Sequence, residues 1–120
     1  MKIDEFIESL RKLNIDITSR QLEQLEEYYN LLVEWNEKIN LTRITLKDDV
    51  YLKHFYDSAT IVKVIDLNKI NNFCDFGTGA GFPGIVIKIL FPSLNVTLVD
   101  SLNKRINFLN IVIEKLKLEK

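Results

Sequence analysis

All four glycines of this 120-residue chain fall between Gly77 and Gly84, inside the run Cys74-Asp-Phe-Gly-Thr-Gly-Ala-Gly-Phe-Pro-Gly84. Glycine permits positive φ and lets other groups approach the main chain, but it loses more conformational freedom on folding than any other residue. A cluster of this density therefore marks a turn that needs bare backbone. Upstream, Phe73-Cys-Asp-Phe is short, apolar and bounded by an asparagine pair, which predicts a buried strand with Cys74 packed in the core. Downstream, Gly-Ile-Val-Ile-Lys-Ile-Leu-Phe after Pro83 could be strand or helix by its β-branched composition, and Pro83 at a first helical position with Pro92 as a stop favours helix. Val96-Thr-Leu-Val-Asp100 reads as a second strand, and Asn103 to about Leu118 as a helix with Ile106, Leu109, Ile113 and Leu116 inside. The order β, α, β, α implies parallel strands with helices covering the sheet, an α/β fold class.

Residues 1–70 have a different texture and read as a helical segment. Ile3, Phe6, Ile7 and Leu10 recur at the spacing of one helix stripe. Thr18-Ser-Arg-Gln21 has the spacing of a capping box and predicts the start of a long second helix. Its inner stripe is Leu22, Leu25, Tyr29 and Leu32, widened by Tyr28, Val33, Trp35 and Ile39, with Glu23, Glu26, Glu27 and Glu34 on the wet side. Asn40-Leu-Thr interrupts it. Thr45 to Asp48 repeats a capping spacing ahead of a third helix carrying Val50, Tyr51, His54 and Phe55, and a short fourth segment from Ser58 to Ile65 closes this half. The division expected is 1–70 helical and 71–120 cofactor-binding, within one structural unit.

Composition narrows the classes. An apolar fraction of 47% and a charged fraction of 28% are those of a globular chain and exclude disordered and fibrous classes. No apolar run is long enough to span a bilayer and the N-terminus is amphipathic, so a cytoplasmic protein without a membrane anchor is expected. One cysteine and one histidine exclude an internal disulfide framework and a Cys/His zinc cage, so no metal is expected. The net charge is −1, divided as −3 over residues 1–70 and +2 over 71–120, which does not by itself announce a nucleic-acid binder.

The glycine run gains meaning from its position between a strand and a helix. In open α/β sheets ligands bind at the carboxyl ends of the strands, and the start of the following helix adds N–H groups and partial positive charge. Asp100, closing the second strand, would lie beside the loop with its carboxylate able to accept from a ribose diol. The dinucleotide fingerprint fails from Gly77, where the sixth position is Phe82. From Gly79 it fits as Gly79-Ala-Gly81-Phe-Pro-Gly84, but with Pro83 inside it and Asp100 too close behind. The other register, Asp75-x-Gly77-x-Gly79-x-Gly81, is the alternating pattern of S-adenosylmethionine-dependent methyltransferases, in which Asp75 would hold the methionine end and Asp100 the ribose. A plain tight turn is the alternative.

Four pieces carry a more specific likeness: Leu32-Val-Glu-Trp-Asn-Glu-Lys-Ile-Asn-Leu-Thr-Arg-Ile44, Tyr51-Leu-Lys-His-Phe-Tyr-Asp-Ser58, Asp75 through Gly84, and Asp100-Ser-Leu-Asn-Lys-Arg-Ile-Asn-Phe-Leu109. Together they resemble the amino-terminal part of the RsmG family, also called glucose-inhibited division protein B, bacterial methyltransferases of guanine N7 in 16S ribosomal RNA. The resemblance implies a helical segment followed by the first β-α-β-α part of a Rossmann-like fold, truncated relative to the family. It implies S-adenosyl-L-methionine as cofactor, with Asp75, Gly77, Thr78, Gly79, Gly81, Phe82 and Asp100 around it, and 16S ribosomal RNA or the 30S subunit as partner. Activity of the 120-residue chain alone would be weak or nil, and the far edge of the first strand would lie bare. Lys104 and Arg105 would contact RNA phosphate, or else form a solvated helix end. His54 and Asp57 would be a functional pair, or His54 a helix-surface or core histidine. Trp35 and Asn36 would seat the helical part against the sheet. The rival readings are an NAD-binding oxidoreductase and a non-catalytic interaction fragment.

Overall fold

The computed structural model describes residues 1–118. Helix α1 (Ile3–Lys12) buries Phe6 and Leu10. Helix α2 (Ser19–Ile39) starts at a complete capping box, in which Thr18 Oγ1 accepts from the Gln21 N–H and the Gln21 side chain accepts from the Thr18 N–H. It stops at Asn40, whose φ of 49° is the left-handed conformation that asparagine tolerates at a helix end. The buried stripe of α2 is Leu25, Tyr28, Leu31 and Leu32. Tyr28 rather than Tyr29 is therefore the inner tyrosine, and Glu26 is not on the wet side: it accepts from Tyr51 Oη and pairs with Lys47.

The next helical stretch is one winding path instead of two separated helices. It runs through α3 (Lys47–Val50), a π-helical turn (Tyr51–Tyr56), α4 (Asp57–Ala59) and a 3₁₀ turn (Thr60–Lys63). The expected cap at Thr45 is unused; Leu46 occupies the cap position without a side-chain bond.

The sheet has two strands, β1 (Asn72–Phe76) and β2 (Asn95–Val99), paired in parallel with Asn72 opposite Asn95 and Phe76 opposite Val99. Burial alternates along both strands. Phe73, Asp75, Val96 and Leu98 turn to the covered face, whereas Cys74, Phe76, Thr97 and Val99 are exposed, Phe76 at 77%. The expectation of a buried strand is thus half corrected, and Cys74 is an exposed thiol rather than a core residue. The physical reason is that a strand is buried on both faces only when layers cover both, and the described residues cover one.

Helix α5 (Gly84–Leu90) is buried at all seven positions, Lys88 included, whose ammonium donates to the carbonyls of Pro92 and Leu94 at 2.7 and 2.8 Å. Helix α6 (Asn103–Lys115) buries Phe108, Leu109 and Val112. Ile106, expected inside, is 37% exposed, because its side of α6 borders an open apolar groove with Leu98, Leu109 and Ile113 instead of the main core.

One apolar cluster joins residues of both halves, from Phe6 and Tyr28 to Ile85, Phe108 and Leu116. Trp35 lies 6.4 Å from the Phe108 ring, while Asn36 serves its own helix end by accepting from the Thr42 N–H. Polar clasps reinforce the joint: Gln21 Nε2 donates to the Ile89 carbonyl at 3.0 Å and Gln24 Nε2 to the Leu116 carbonyl at 2.9 Å. These bonds fill carbonyls that the ends of α5 and α6 leave open. Gln21 thus serves the start of α2 and the end of α5 together. Gln21→Ala should therefore lower unfolding free energy by about 2 kcal/mol, more than the roughly 1 kcal/mol expected of a cap lost alone in Thr18→Ala. Urea denaturation of both variants checks this, and equal losses would show that the bond to Ile89 contributes nothing.

Candidate cofactor and RNA site

The glycine loop leaves β1 still paired to its neighbour, with the N–H groups of Gly77 and Thr78 donating to the Val99 carbonyl at 2.7 and 3.0 Å. Gly77, Gly79 and Gly81 then take φ of 68°, 59° and 104°, values that side chains rarely adopt. The four glycines divide into two kinds. A Cβ on Gly77 or Gly79 would meet nothing within 4 Å, so their bare backbone faces open space. A Cβ on Gly81 would stand 2.6 Å from both Tyr28 Oη and Ile85 Cγ1, and one on Gly84 would overlap Leu98 and lie 3.0 Å from Asp75 Oδ2. The second pair is therefore required by packing, and the first pair leaves a cradle.

Asp100 closes that cradle. Its Oδ2 accepts from the Gly79 N–H at 2.9 Å and its Oδ1 from the Leu102 N–H at 3.0 Å. Arg105 reaches both oxygens at only 3.4–3.5 Å. A carboxylate offers about four lone-pair positions, so two are held by backbone and two face the long Arg105 contact. The side chain is 1% exposed, yet it sits at the rim with little protein around it, so its cover is a thin one made by the loop and Arg105. The N–H groups of Leu102 and Gly79, together with Arg105, hold its carboxyl below the ordinary carboxylate range, against a smaller opposing effect of burial.

Asp75 is placed differently. At 8% exposure, its Oδ2 accepts from Thr78 Oγ1 at 2.7 Å and from the Gly84 N–H at 2.9 Å. It ties the two ends of the loop and caps α5 from within. The Ile85 N–H likewise goes to the Gly81 carbonyl, so the start of α5 is largely satisfied internally, contrary to the expectation of free N–H groups there. Thr78 is 3% exposed and belongs to the same knot.

Phe82, joined to Pro83 by a cis peptide bond, turns toward the helical half. Its ring stacks on His54 at 4.2 Å and 6° and lies 5.4 Å from Tyr28. His54 Nε2 is 2.8 Å from Thr42 Oγ1, and burial pushes the imidazole below its ordinary value although the Asp57 charge opposes this. Tyr28 Oη donates to the Ala80 carbonyl at 2.6 Å, a latch between α2 and the loop. The helical periodicity places Tyr28 only at the margin of the α2 stripe; nothing in the pattern shows that its hydroxyl needs a partner 52 residues away. Lys104 is exposed on the first turn of α6, beside the half-covered Arg105.

Among the described residues no helix is long and apolar enough to cross a membrane, and no group of three or more His, Cys, Asp or Glu is placed to hold a metal ion. A parallel β-α-β unit whose first strand empties into an open glycine turn, latched to an acid at the end of the second, is the opening part of a Rossmann-like fold. The sequence profile of rRNA small subunit methyltransferase G, GidB, matches residues 21–120, and the chain belongs to that methyltransferase family.

Curated relatives agree. The chain is 60% identical over 119 residues to the ribosomal RNA small subunit methyltransferase G of Bacillus velezensis and, at the same identity and length, to that of Bacillus subtilis; in each case 99% of this chain and 50% of the relative are covered. It is 57% identical over 118 residues to the protein of the same name from Bacillus thuringiensis, covering 98% and 49%. The chain thus spans about half the length of the curated relatives it matches.

Proposed function

We propose that this chain carries the amino-terminal part of the S-adenosyl-L-methionine site of an enzyme that methylates guanine N7 in 16S ribosomal RNA, in the cytoplasm, on naked rRNA or the 30S subunit. The observation that supports it best is the cradle itself: bare backbone at Gly77 and Gly79 faces open space, with the Asp100 carboxylate fastened to its floor. Residues 1–70 then form the helical segment, and residues 71–120 the first part of the cofactor-binding domain.

Gly77 and Gly79 would pass the cofactor along the main chain while Gly81 gives room to Tyr28 and Ile85 beneath the loop, and Asp100 would accept from the ribose hydroxyls through the two lone-pair positions that Arg105 approaches only loosely. Asp75 and Thr78 would set the loop's shape, and Phe82 would fix its far end. When bound, S-adenosylmethionine supplies an electrophilic methyl group. Guanine N7 carries a lone pair in the neutral base, so the residues need to move no proton. Their task is alignment and exclusion of water, an effect that can reach about 7–11 kcal/mol. Once a diol replaces its contact with Asp100, Arg105 would be free, with Lys104, to meet RNA phosphate.

Titration calorimetry tests the assignment. S-adenosylhomocysteine should bind, NAD should not, and Gly79→Val should remove binding by filling the cradle. Absence of S-adenosylhomocysteine binding both here and in a full-length relative would overturn it. A methyl-transfer assay should show weak or no turnover for the 120-residue chain.

A further inference from the structure

A recess of about 280 Å³ opens where the helical half meets the glycine loop. Lys53, His54, Asp57 and Ser58 form one side of it and Phe82 and Pro83 the other. The recess is open to solvent, and Lys53 and Asp57 at its side are exposed; the Asp57 carboxylate, the Lys53 ammonium and the hydroxyl of the mostly buried Ser58 make no side-chain hydrogen bond or ion pair with the described residues. Lys53 and Asp57 have the i, i+4 spacing of an ordinary helical ion pair, yet none forms. The turn between them is π-helical, a winding that recurs at functional sites. His54, by contrast, is held by Thr42 and by its stack on Phe82.

We infer that this recess receives a guanine base, with Asp57 reading its N1–H and N2–H₂ edge. An ionised carboxylate only accepts, and its two oxygens suit a pair of donors side by side. Among the four RNA bases, guanine alone presents two adjacent donors on its pairing edge; adenine, cytosine and uracil each place an acceptor beside every donor. Lys53 and Ser58 supply donors for the neighbouring O6. Pro83 and the edge of the Phe82 ring, whose faces are taken by His54 and Tyr28, offer an apolar wall beside which an unpaired RNA base can lie. The volume lies just under the range of about 300–1,000 Å³ of drug-sized ligand sites, which suits a single base. A guanine gripped by its pairing edge keeps N7 on the free side of the ring, and the wall beside it continues directly into Gly79–Gly81. The assignment rests on the methyltransferase function proposed above for its meaning, but the base contact itself can be measured separately.

The test is a nuclear magnetic resonance titration of the 120-residue chain in two arms. In the first, S-adenosylhomocysteine is added alone and the amides of Gly77, Gly79 and Leu102 are followed. In the second, with that ligand present, the 5′-monophosphates of guanosine, inosine and adenosine are added separately and the amides of residues 53–60 and of Phe82 are followed. Guanosine monophosphate should bind roughly tenfold more tightly than inosine monophosphate, which lacks the N2 amine and so one bond to a charged acceptor, and adenosine monophosphate should leave the recess unshifted. Asp57→Asn should bring guanosine monophosphate down to the inosine level. Should that variant not fold, the ranking on the unaltered chain decides alone. Equal responses to the three nucleotides, a response limited to Lys53, or none would overturn the inference. A response in the first arm without guanine preference in the second would remove the base site and leave the cofactor site standing; the reverse pattern would do the opposite.

Discussion

Replacing Gly81 by alanine should lower the melting temperature by on the order of 10 °C. The new methyl would stand 2.6 Å from Tyr28 Oη and from Ile85 Cγ1 and 3.1 Å from Leu109 Cδ2, and it would do so on a backbone with φ of 104°. Overpacking of this kind costs about 1–3 kcal/mol and the strained backbone a similar amount. Neither neighbour can withdraw cheaply, since Tyr28 is fully buried and its hydroxyl is committed to the Ala80 carbonyl. At roughly 3–5 °C per kcal/mol for a chain of this size, the loss should be plain in a thermal melt followed by circular dichroism. Gly79→Ala is the control: it meets no atom within 4 Å and should cost only about 1–2 kcal/mol for its left-handed backbone. A melting temperature for Gly81→Ala equal to that of Gly79→Ala would show that the packing required by Tyr28 is not tight.

Asp100→Asn should weaken S-adenosylhomocysteine binding by at least roughly 100-fold and should also lower stability modestly, because the carboxylate accepts from the N–H groups of both Gly79 and Leu102. Two charge-assisted bonds to a ribose diol are removed, each worth about 1.5–3 kcal/mol, whereas the amide oxygen can still accept from one backbone N–H. Calorimetry at neutral pH measures this, and a loss under about tenfold would mean that the carboxylate does not hold the sugar. The pH dependence has a definite sign. The folded-state pKa of Asp100 is depressed by the Leu102 and Gly79 N–H groups and by Arg105, so its contribution is present above the ordinary carboxylate range. As pH falls through that range the unfolded chain takes up the proton first and stability declines; the folded carboxylate is protonated only at still lower pH. Ligand affinity should therefore stay level from pH 7 to about 5 and fall only in stronger acid.

Much of this architecture is readable in the chain because it is carried by local rules. The capping box at Thr18–Gln21, the asparagine stop at Asn40 and the strand-glycine-helix order each depend on residues within a few positions of one another, and each forms as its spacing predicts. Asp100 could be placed beside the loop because parallel pairing of successive strands brings their carboxyl ends together. What escaped the sequence depends on distant partners. Tyr28 meets Ala80 and Gln21 meets Ile89 only through tertiary packing. Whether Cys74 and Ile106 are covered depends on which layers lie against their faces, which periodicity within one segment does not report. Asp75 shows the same limit within the site: its position in the motif marks it as important, but not that it faces inward to Thr78 and Gly84.

The division of the glycines into an open pair and a packed pair makes the loop mechanically lopsided. Its far end is held by Tyr28, His54 and Asp75 to both halves of the molecule, while its near end is held only within the sheet half, by the Val99 carbonyl, by the Thr78–Asp75 bond and by the Gly79 bond to Asp100. A loop anchored in this way transmits any shift between the two halves through its far end alone, so the spacing of the open glycines from Asp100 is set by the sheet and is insulated from the helical half.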